Sequence, residues 1–274
     1  MADQNEPSML LGQVIPAPTH YSPSLLYPIS RAPARSEIVL SASIPMHGVD
    51  QWHAYEMSWL DGRGKPVVRV GRFTIPASST HIIESKSLKL YLGSLNCHSF
   101  SSVDEAKTVI ISDISAVAGA GVSLELLLVD DPVLAGSVLP GTCLDELDIE
   151  PISGAPRPEI LQADSANICK VSLFSHLLRS LCPVTGQPDW ASVWIEYKGP
   201  EIDRRSLLQY IIAYRQHQEF HEQCVERIFS DIYQCCEPEL LTVQAFYTRR
   251  GGLDINPFRS TDPAAKPLPR MDRQ

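Results

Sequence analysis

The feature that most constrains this chain is an order of elements that occurs twice: strand, strand, helix, helix, strand. In the first pass, residues 52–59 alternate large apolar with smaller or polar side chains, Asp61-Gly62-Arg63-Gly64 makes a turn, and residues 67–75 form a second strand. Leu88, Tyr91, Leu92 and Leu95 then share one helical face. Ser102 and Glu105 have the spacing of a capping box, opening a helix with Val103, Ala106, Ile110 and Ile114 turned inward. Val122, Leu124, Leu126 and Leu128 alternate as a strand. In the second pass, 169–178 and 191–197 are strands. Leu207, Leu208, Ile211 and Ile212 mark a helix, and Val225, Ile228, Phe229 and Ile232 another, before a closing strand at 241–247. Short matches keep step with this order. Ser112-Asp113-Ile114 returns as Ser230-Asp231-Ile232, an offset of 118, and Ser87-Leu88 with Tyr91 returns as Ser206-Leu207 with Tyr210, an offset of 119. At the first offset Cys182 falls on Gly64, so only one half carries a thiol there.

Pro16, Pro18, Pro23, Pro28 and Pro33 make residues 1–35 read as an extended arm. A second Pro-rich stretch, 131–165, carries Asp145, Glu146, Asp148 and Glu150 and reads as an acidic connector. The folded modules are then 36–130 and 166–274. With 44% apolar and 20% charged residues the chain can bury a core. A net charge of -9 argues against direct, sequence-independent binding to nucleic acid. No apolar run approaches a membrane span, and the N-terminus has neither the basic nor the apolar region of a signal peptide. Seven scattered cysteines, an odd number, read as cytoplasmic thiols rather than a disulfide framework. Cys143, Cys169 and Cys224 read as small apolar packing residues. Neither Cys235-Cys236 nor Cys97-His98 has the separated-pair spacing of a zinc site, so no metal is assigned.

Four segments carry chemistry. Cys182-Pro183-Val184-Thr185-Gly186-Gln187-Pro188-Asp189 is a rigid polar loop that holds a thiol near a carboxylate, the requirement for covalent attack on an electrophilic carbon. Glu84-Ser85-Lys86-Ser87-Leu88-Lys89-Leu90-Tyr91 opens a helix, whose N–H groups and Lys86 suit a phosphate, although a solvated first turn explains it as simply. Phe220-His221-Glu222 precedes the last apolar helix. It offers a neutral-pH proton carrier and a carboxylate that can pair with two N–H groups, or simply a favourable helix start. Thr248-Arg249-Arg250-Gly251-Gly252-Leu253-Asp254-Ile255-Asn256-Pro257 brings two cations next to bare backbone, a phosphate cradle or a surface turn. Gly119-Ala120-Gly121 is not a dinucleotide fingerprint, because it follows a helix and precedes a strand.

In this order the four segments resemble the QueF family, the NADPH-dependent 7-cyano-7-deazaguanine reductases of queuosine biosynthesis, in their longer two-module form. The resemblance covers residues 36–260. It implies an α+β tunnel-type fold (T-fold), with tandem modules of antiparallel sheet and helices packed on one face, and a homodimer. It also implies that Cys182 is the nucleophile, Asp189 the proton donor and His221 a catalytic neighbour. Ile83, Glu84, Ser85, Phe220, His221 and Glu222 would contact the substrate, and Ser85, Lys86, Arg249, Arg250 and Gly251 would hold NADPH. A zinc-dependent cyclohydrolase on the same architecture and a non-catalytic purine-binding module are the alternatives.

Overall fold

The computed structural model describes residues 16, 18–38 and 44–274. In chain order its elements are β1 (Pro28–Ser30), α1 (Arg31–Glu37), β2 (His47–Leu60), β3 (Pro66–Pro76), β4 (His81–Ile83), α2 (Ser85–Ser94), α3 (Val103–Ala118) and β5 (Ser123–Leu127). Next come β6 (Thr142–Cys143), β7 (Ala163–Ser175), β8 (Arg179–Leu181), β9 (Pro188–Ile202), α4 (Arg204–Ile212), α5 (His221–Cys236), β10 (Leu240–Tyr247) and β11 (Leu253–Ser260). They fall into two compact units. One holds the chain up to Ala32, Gln51–Leu134 and Arg249–Asp254; the other holds Pro33–Asp50, Ala135–Thr248 and Ile255–Gln274.

In the first unit β5, β3 and β2 are neighbours in that order, and β3 and β5 run antiparallel from Val70↔Leu127 to Thr74↔Ser123. Ser102 caps α3 by accepting from Glu105 N–H, as its spacing predicts, but the Glu105 carboxylate reaches back to Ser101. In the second unit the order is β11-β10-β9-β7-β6, with β8 on β9. Its core joins Leu207, Tyr210 and Ile211 of α4 to Val225, Ile228, Phe229 and Ile232 of α5, against Val193, Ile195, Leu241 and Val243 of the sheet. α5 is long and apolar along one stripe, so burial of that stripe rather than helix propensity holds it in place.

The duplication extends to single hydrogen bonds. Glu84 caps α2 and Asp203 caps α4. Ser87 Oγ donates to Glu84 O as Ser206 Oγ does to Asp203 O, and the two hydroxyls accept from Tyr27 N and Gln162 N. Tyr91 OH donates to Asp113 at 2.6 Å, and Tyr210 OH to Asp231 at 2.6 Å. Leu60 N donates to His98 O just as Leu181 N donates to His217 O. This last pair corrects the register read from the sequence. The counterpart of Cys182 is Asp61 rather than Gly64, because Leu60 and Leu181 are 121 residues apart, against 118 and 119 for the matches in the helices.

Four other expectations change. The strand expected at 169–178 begins at Ala163 and ends at Ser175, and β8 resumes the pairing. The strand at 241–247 is followed by another, β11, whose Asp254, Asn256 and Arg259 mask its pattern although all eight of its residues are buried. Arg259 is buried because it meets Glu226 at 2.7 Å and Asp50 at 2.8 Å. Within the Pro-rich arm, β1 pairs with β4 and α1 forms a short helix. Of the three cysteines expected to pack, Cys224 does so, but Cys143 is exposed and Cys169 half-buried.

Burial raises the Asp231 carboxyl above its usual range, against the opposing Tyr210 hydrogen bond. The folded state therefore holds this proton more tightly than the unfolded chain, and the stability it contributes is lost as pH rises through the folded value. Asp231→Asn should gain on the wild type as pH rises from acid to neutral. Tyr210→Phe, which strips a donor from a buried carboxylate, should lose about 1–3 kcal/mol at neutral pH. Urea midpoints of the two variants across pH check both.

Candidate active site

The Cys182 loop is built as a tight hairpin end. Leu181 pairs with Pro188 and Ser180 with Asp189 in the β8–β9 ladder. Above that neck Cys182 N donates to Gln187 O at 2.8 Å and Gly186 N to Cys182 O at 2.9 Å, with Gly186 in the left-handed region at φ 69°. A Cβ at that position would strain the turn. Cys182 is 3% exposed despite its polar flanks. Asp189, at the first turn of the ladder, is also buried.

The loop is fastened to the start of α5 from below. Leu181 N donates to His217 O at 2.8 Å, and Glu219 N donates to Leu181 O at 3.2 Å. Glu219 in turn accepts from Arg227, one helical stretch further on, and lies 2.9 Å from His217. Burial alone would raise the Glu219 carboxyl, but His217 and Arg227 outweigh it and hold it below the usual carboxylate range.

That fastening delivers the first turn of α5 to the loop. His221 Nε2 lies 3.3 Å from Asp189 Oδ2. Its ring is stacked on Tyr247 of β10, with centroids 3.8 Å apart and planes 15° from parallel. His221 Nδ1 is buried and has no hydrogen-bond partner in the protein, an atom placed for an incoming polar group. Glu222 is buried beside it, while Phe220 stands at the N-cap and offers no side-chain cap. His221 and Glu222 are thus the opening residues of the helix rather than its prelude. One turn on, burial and then the Glu219 charge push the Cys224 thiol well up, although the Tyr247 and Ser180 hydroxyls work in the opposite direction. Cys224 is a packed neutral thiol.

The remaining predicted residues lie in the first unit. Ile83 is buried at the end of β4. The Glu84 carboxylate accepts from Lys86 N and Ser87 N, both at 2.8 Å. This corrects the reading of α2 as an open phosphate cradle, because an internal carboxylate already occupies those N–H groups. Burial raises the Glu84 carboxyl despite these bonds. Ser85 and Lys86 sit half-buried on the same first turn.

Arg250-Gly251-Gly252-Leu253 is a two-residue hairpin turn. Arg250 N bonds Leu253 O, the reverse bond also forms, and both glycines have positive φ, 59° and 79°. That is the turn type that fits a twisted hairpin. The Arg249 guanidinium lies 3.6 Å from the Tyr55 ring centroid, and Tyr55 OH donates to Asp254 at 2.6 Å, which also meets His53 at 2.8 Å. A cavity of about 340 Å³ beside the turn is lined by Glu56, Lys89, Asn96, Gly251 and Gly252, among others. Nothing in the sequence singles out Tyr247, Tyr55 or Asp254. Tyr247 and Tyr55 occupy ordinary strand positions, and Asp254 follows the glycine turn with nothing in its neighbours to mark its distant partners His53 and Tyr55.

A buried thiol in a rigid hairpin loop, whose neck carries a carboxylate paired with a histidine at a helix start, is an arrangement suited to covalent chemistry on an electrophilic carbon. The comparisons sharpen that class. Residues 17–126 match the family described as nitrile reductase, 7-cyano-7-deazaguanine-reductase N-term, and residues 188–266 match the QueF-like protein family. Proteins named NADPH-dependent 7-cyano-7-deazaguanine reductase from Bordetella avium and Dechloromonas aromatica are 50% and 51% identical. Each alignment covers 94% of this chain, and 94% and 92% of those proteins. The chain belongs to the NADPH-dependent 7-cyano-7-deazaguanine reductase family. A solved apo archaeosine synthase QueF-Like overlaps 38% of this chain at 14% identity, with a TM-score of 0.31, and lends nothing to the site. Among the described residues no helix is long and apolar enough to cross a membrane.

If the Glu84 carboxylate holds the start of α2, Glu84→Ala should lower stability by about 1 kcal/mol, the usual cost of a lost helix cap. A urea midpoint unchanged from wild type would show that the cap is dispensable.

Proposed function

We propose that this protein reduces the nitrile of 7-cyano-7-deazaguanine to the aminomethyl group of 7-aminomethyl-7-deazaguanine, consuming two NADPH, as a cytoplasmic homodimer in queuosine biosynthesis. The observation that carries the reading is Cys182 in a hairpin loop whose neck residue Asp189 is paired with His221, in a chain half identical to reductases of that name.

A nitrile carbon accepts a hydride poorly. The Cys182 sulfur adds to it, forming a C–S bond and a covalent thioimide, while one C–N π bond becomes the new N–H bond. Asp189 delivers that proton, and His221, 3.3 Å away, orients the carboxyl group. NADPH would supply a hydride to carbon twice, the second matched by a proton taken up from solvent to complete the amine. After the first, the carbon–sulfur bond breaks, the thiolate departs and an imine remains. Covalent capture thus splits one hard reduction into two easier ones. The burial of Cys182, Asp189 and Glu222 keeps water from the imine between the two reductions. Phe220, His221 Nδ1 and Glu222 contact the deazaguanine, Glu222 by accepting a pair of ring N–H groups.

By the family resemblance, Ile83, Glu84 and Ser85 are assigned to substrate contacts. Each Glu84 oxygen keeps lone-pair capacity beyond the one cap bond it makes. Ser85, Lys86, Arg249, Arg250 and Gly251 are assigned to NADPH. They fit a phosphorylated cofactor: three cationic side chains accompany a glycine turn whose backbone admits close approach of phosphate.

Following NADPH absorbance against added nitrile should give two NADPH oxidised per nitrile and one primary amine formed. Cys182→Ala should abolish turnover yet still bind the base. Asp189→Asn should lower kcat by at least 10²-fold, the usual contribution of a positioned acid, about 10²–10⁴. Turnover by Cys182→Ala near the wild-type rate would sink the reading.

A further inference from the structure

At the end of β7 three donors of different types converge. The Cys143 sulfur, an Asp145 carboxylate oxygen and a His176 ring nitrogen all lie within 4.8 Å of one another. We propose that Cys143, Asp145 and His176 form a binding site for a divalent cation of the zinc class, which clips the acidic connector to the end of β7. A thiolate, a carboxylate and an imidazole are three of the four ligands of a tetrahedral zinc site, leaving the fourth position to water. The mixed borderline-soft set favours zinc or cobalt over magnesium or calcium.

The supporting bonds are already in place. Ser175 Oγ donates to Asp145 Oδ1 at 2.6 Å, and His176 N–H points at both Asp145 oxygens at 3.2 and 3.1 Å. His176 Nδ1 shares a hydrogen bond with Ser192 Oγ at 2.8 Å, which fixes the ring's orientation. Ser175 and Ser192 are both fully buried, so each holds its ligand from a fixed position. Ligands oriented this way by a buried outer layer are the mark of a metal site rather than of a chance cluster. Tetrahedral bonds of the usual length place donors about 3.3–3.6 Å apart. Exposed Cys143 can close the remaining gap by turning about its side chain.

The fold also explains what a cation would do there. The connector's strand β6 pairs with the sheet through the two parallel pairs Thr142↔Leu173 and Cys143↔Phe174. A cation bridging Cys143 and Asp145 to His176 would lock that short ladder. The sequence hid the site because its ligands are not arranged as separated pairs. Cys143 and Asp145 lie two apart in the connector, and His176 follows 31 residues later.

The test is a titration of the full-length, chelator-treated protein with Co²⁺, following the near-ultraviolet thiolate-to-cobalt absorption. One Co²⁺ per chain should bind and be displaced by Zn²⁺. Cys143→Ser should lose the band, Ser192→Ala should weaken binding about 10–100-fold, and Cys182→Ala should bind as the wild type does. Absence of the band at one equivalent, its survival in Cys143→Ser, or its loss in Cys182→Ala would each overturn the site. Far-ultraviolet circular dichroism confirms that the variants are folded.

Discussion

The contact that organises the second unit around the Cys182 loop is between Asp189 and His221. It joins the start of β9 to the first turn of α5, and the stacking of His221 on Tyr247 adds the end of β10. Three elements distant in sequence are thereby fixed around one loop. The two backbone bonds between Leu181 and the 217–219 segment hold the loop at that junction, and the Glu219–Arg227 pair holds the segment to α5. Each of these links is buried or half-buried, where solvent screens charge least. A shift of α5 would therefore move the histidine relative to the thiol loop, and positioning errors of about 1 Å are costly in catalysis.

The duplication shows what was given up to make that site. In the first unit Asp61 holds its turn by accepting from the N–H groups of Arg63 and Lys65, and Ser102 caps α3. Their counterparts in the second unit are Cys182 and Phe220. Neither supplies the bond that its equivalent makes. The second loop falls back on Gly186 and on a long bond from Gln187 N to Thr185 Oγ1, and α5 begins without a side-chain cap. A missing cap costs roughly 1 kcal/mol, which the buried apolar face of α5 easily offsets. The two positions that lack these bonds thus each precede a member of the Asp189–His221 pair in sequence.

Much of this was legible in the sequence, because strand alternation and helical faces are set by burial, and burial follows apolar spacing. Tyr91 and Tyr210 marked the repeat, and the Cys182 loop announced itself through turn residues around a thiol. The parts that escaped share one cause: polar residues buried with partners far away in sequence. β11 hides behind Arg259, which is apolar in neither pattern nor chemistry but is neutralised by Glu226 and Asp50. Tyr247 looks like any strand aromatic until the fold lays His221 on it. Glu84 looked available to ligands, and only the geometry of α2 shows its carboxylate committed to two backbone N–H groups.

The most direct test of the central claim is the intact mass of the wild-type protein mixed with 7-cyano-7-deazaguanine in the absence of NADPH, followed by peptide mapping. The account predicts an increase equal to the whole mass of the nitrile, with nothing lost, on the peptide that carries Cys182. It also predicts that Cys224, buried and held neutral, stays unmodified. An unmodified protein under saturating nitrile, or an adduct mapped to any other cysteine, would contradict it.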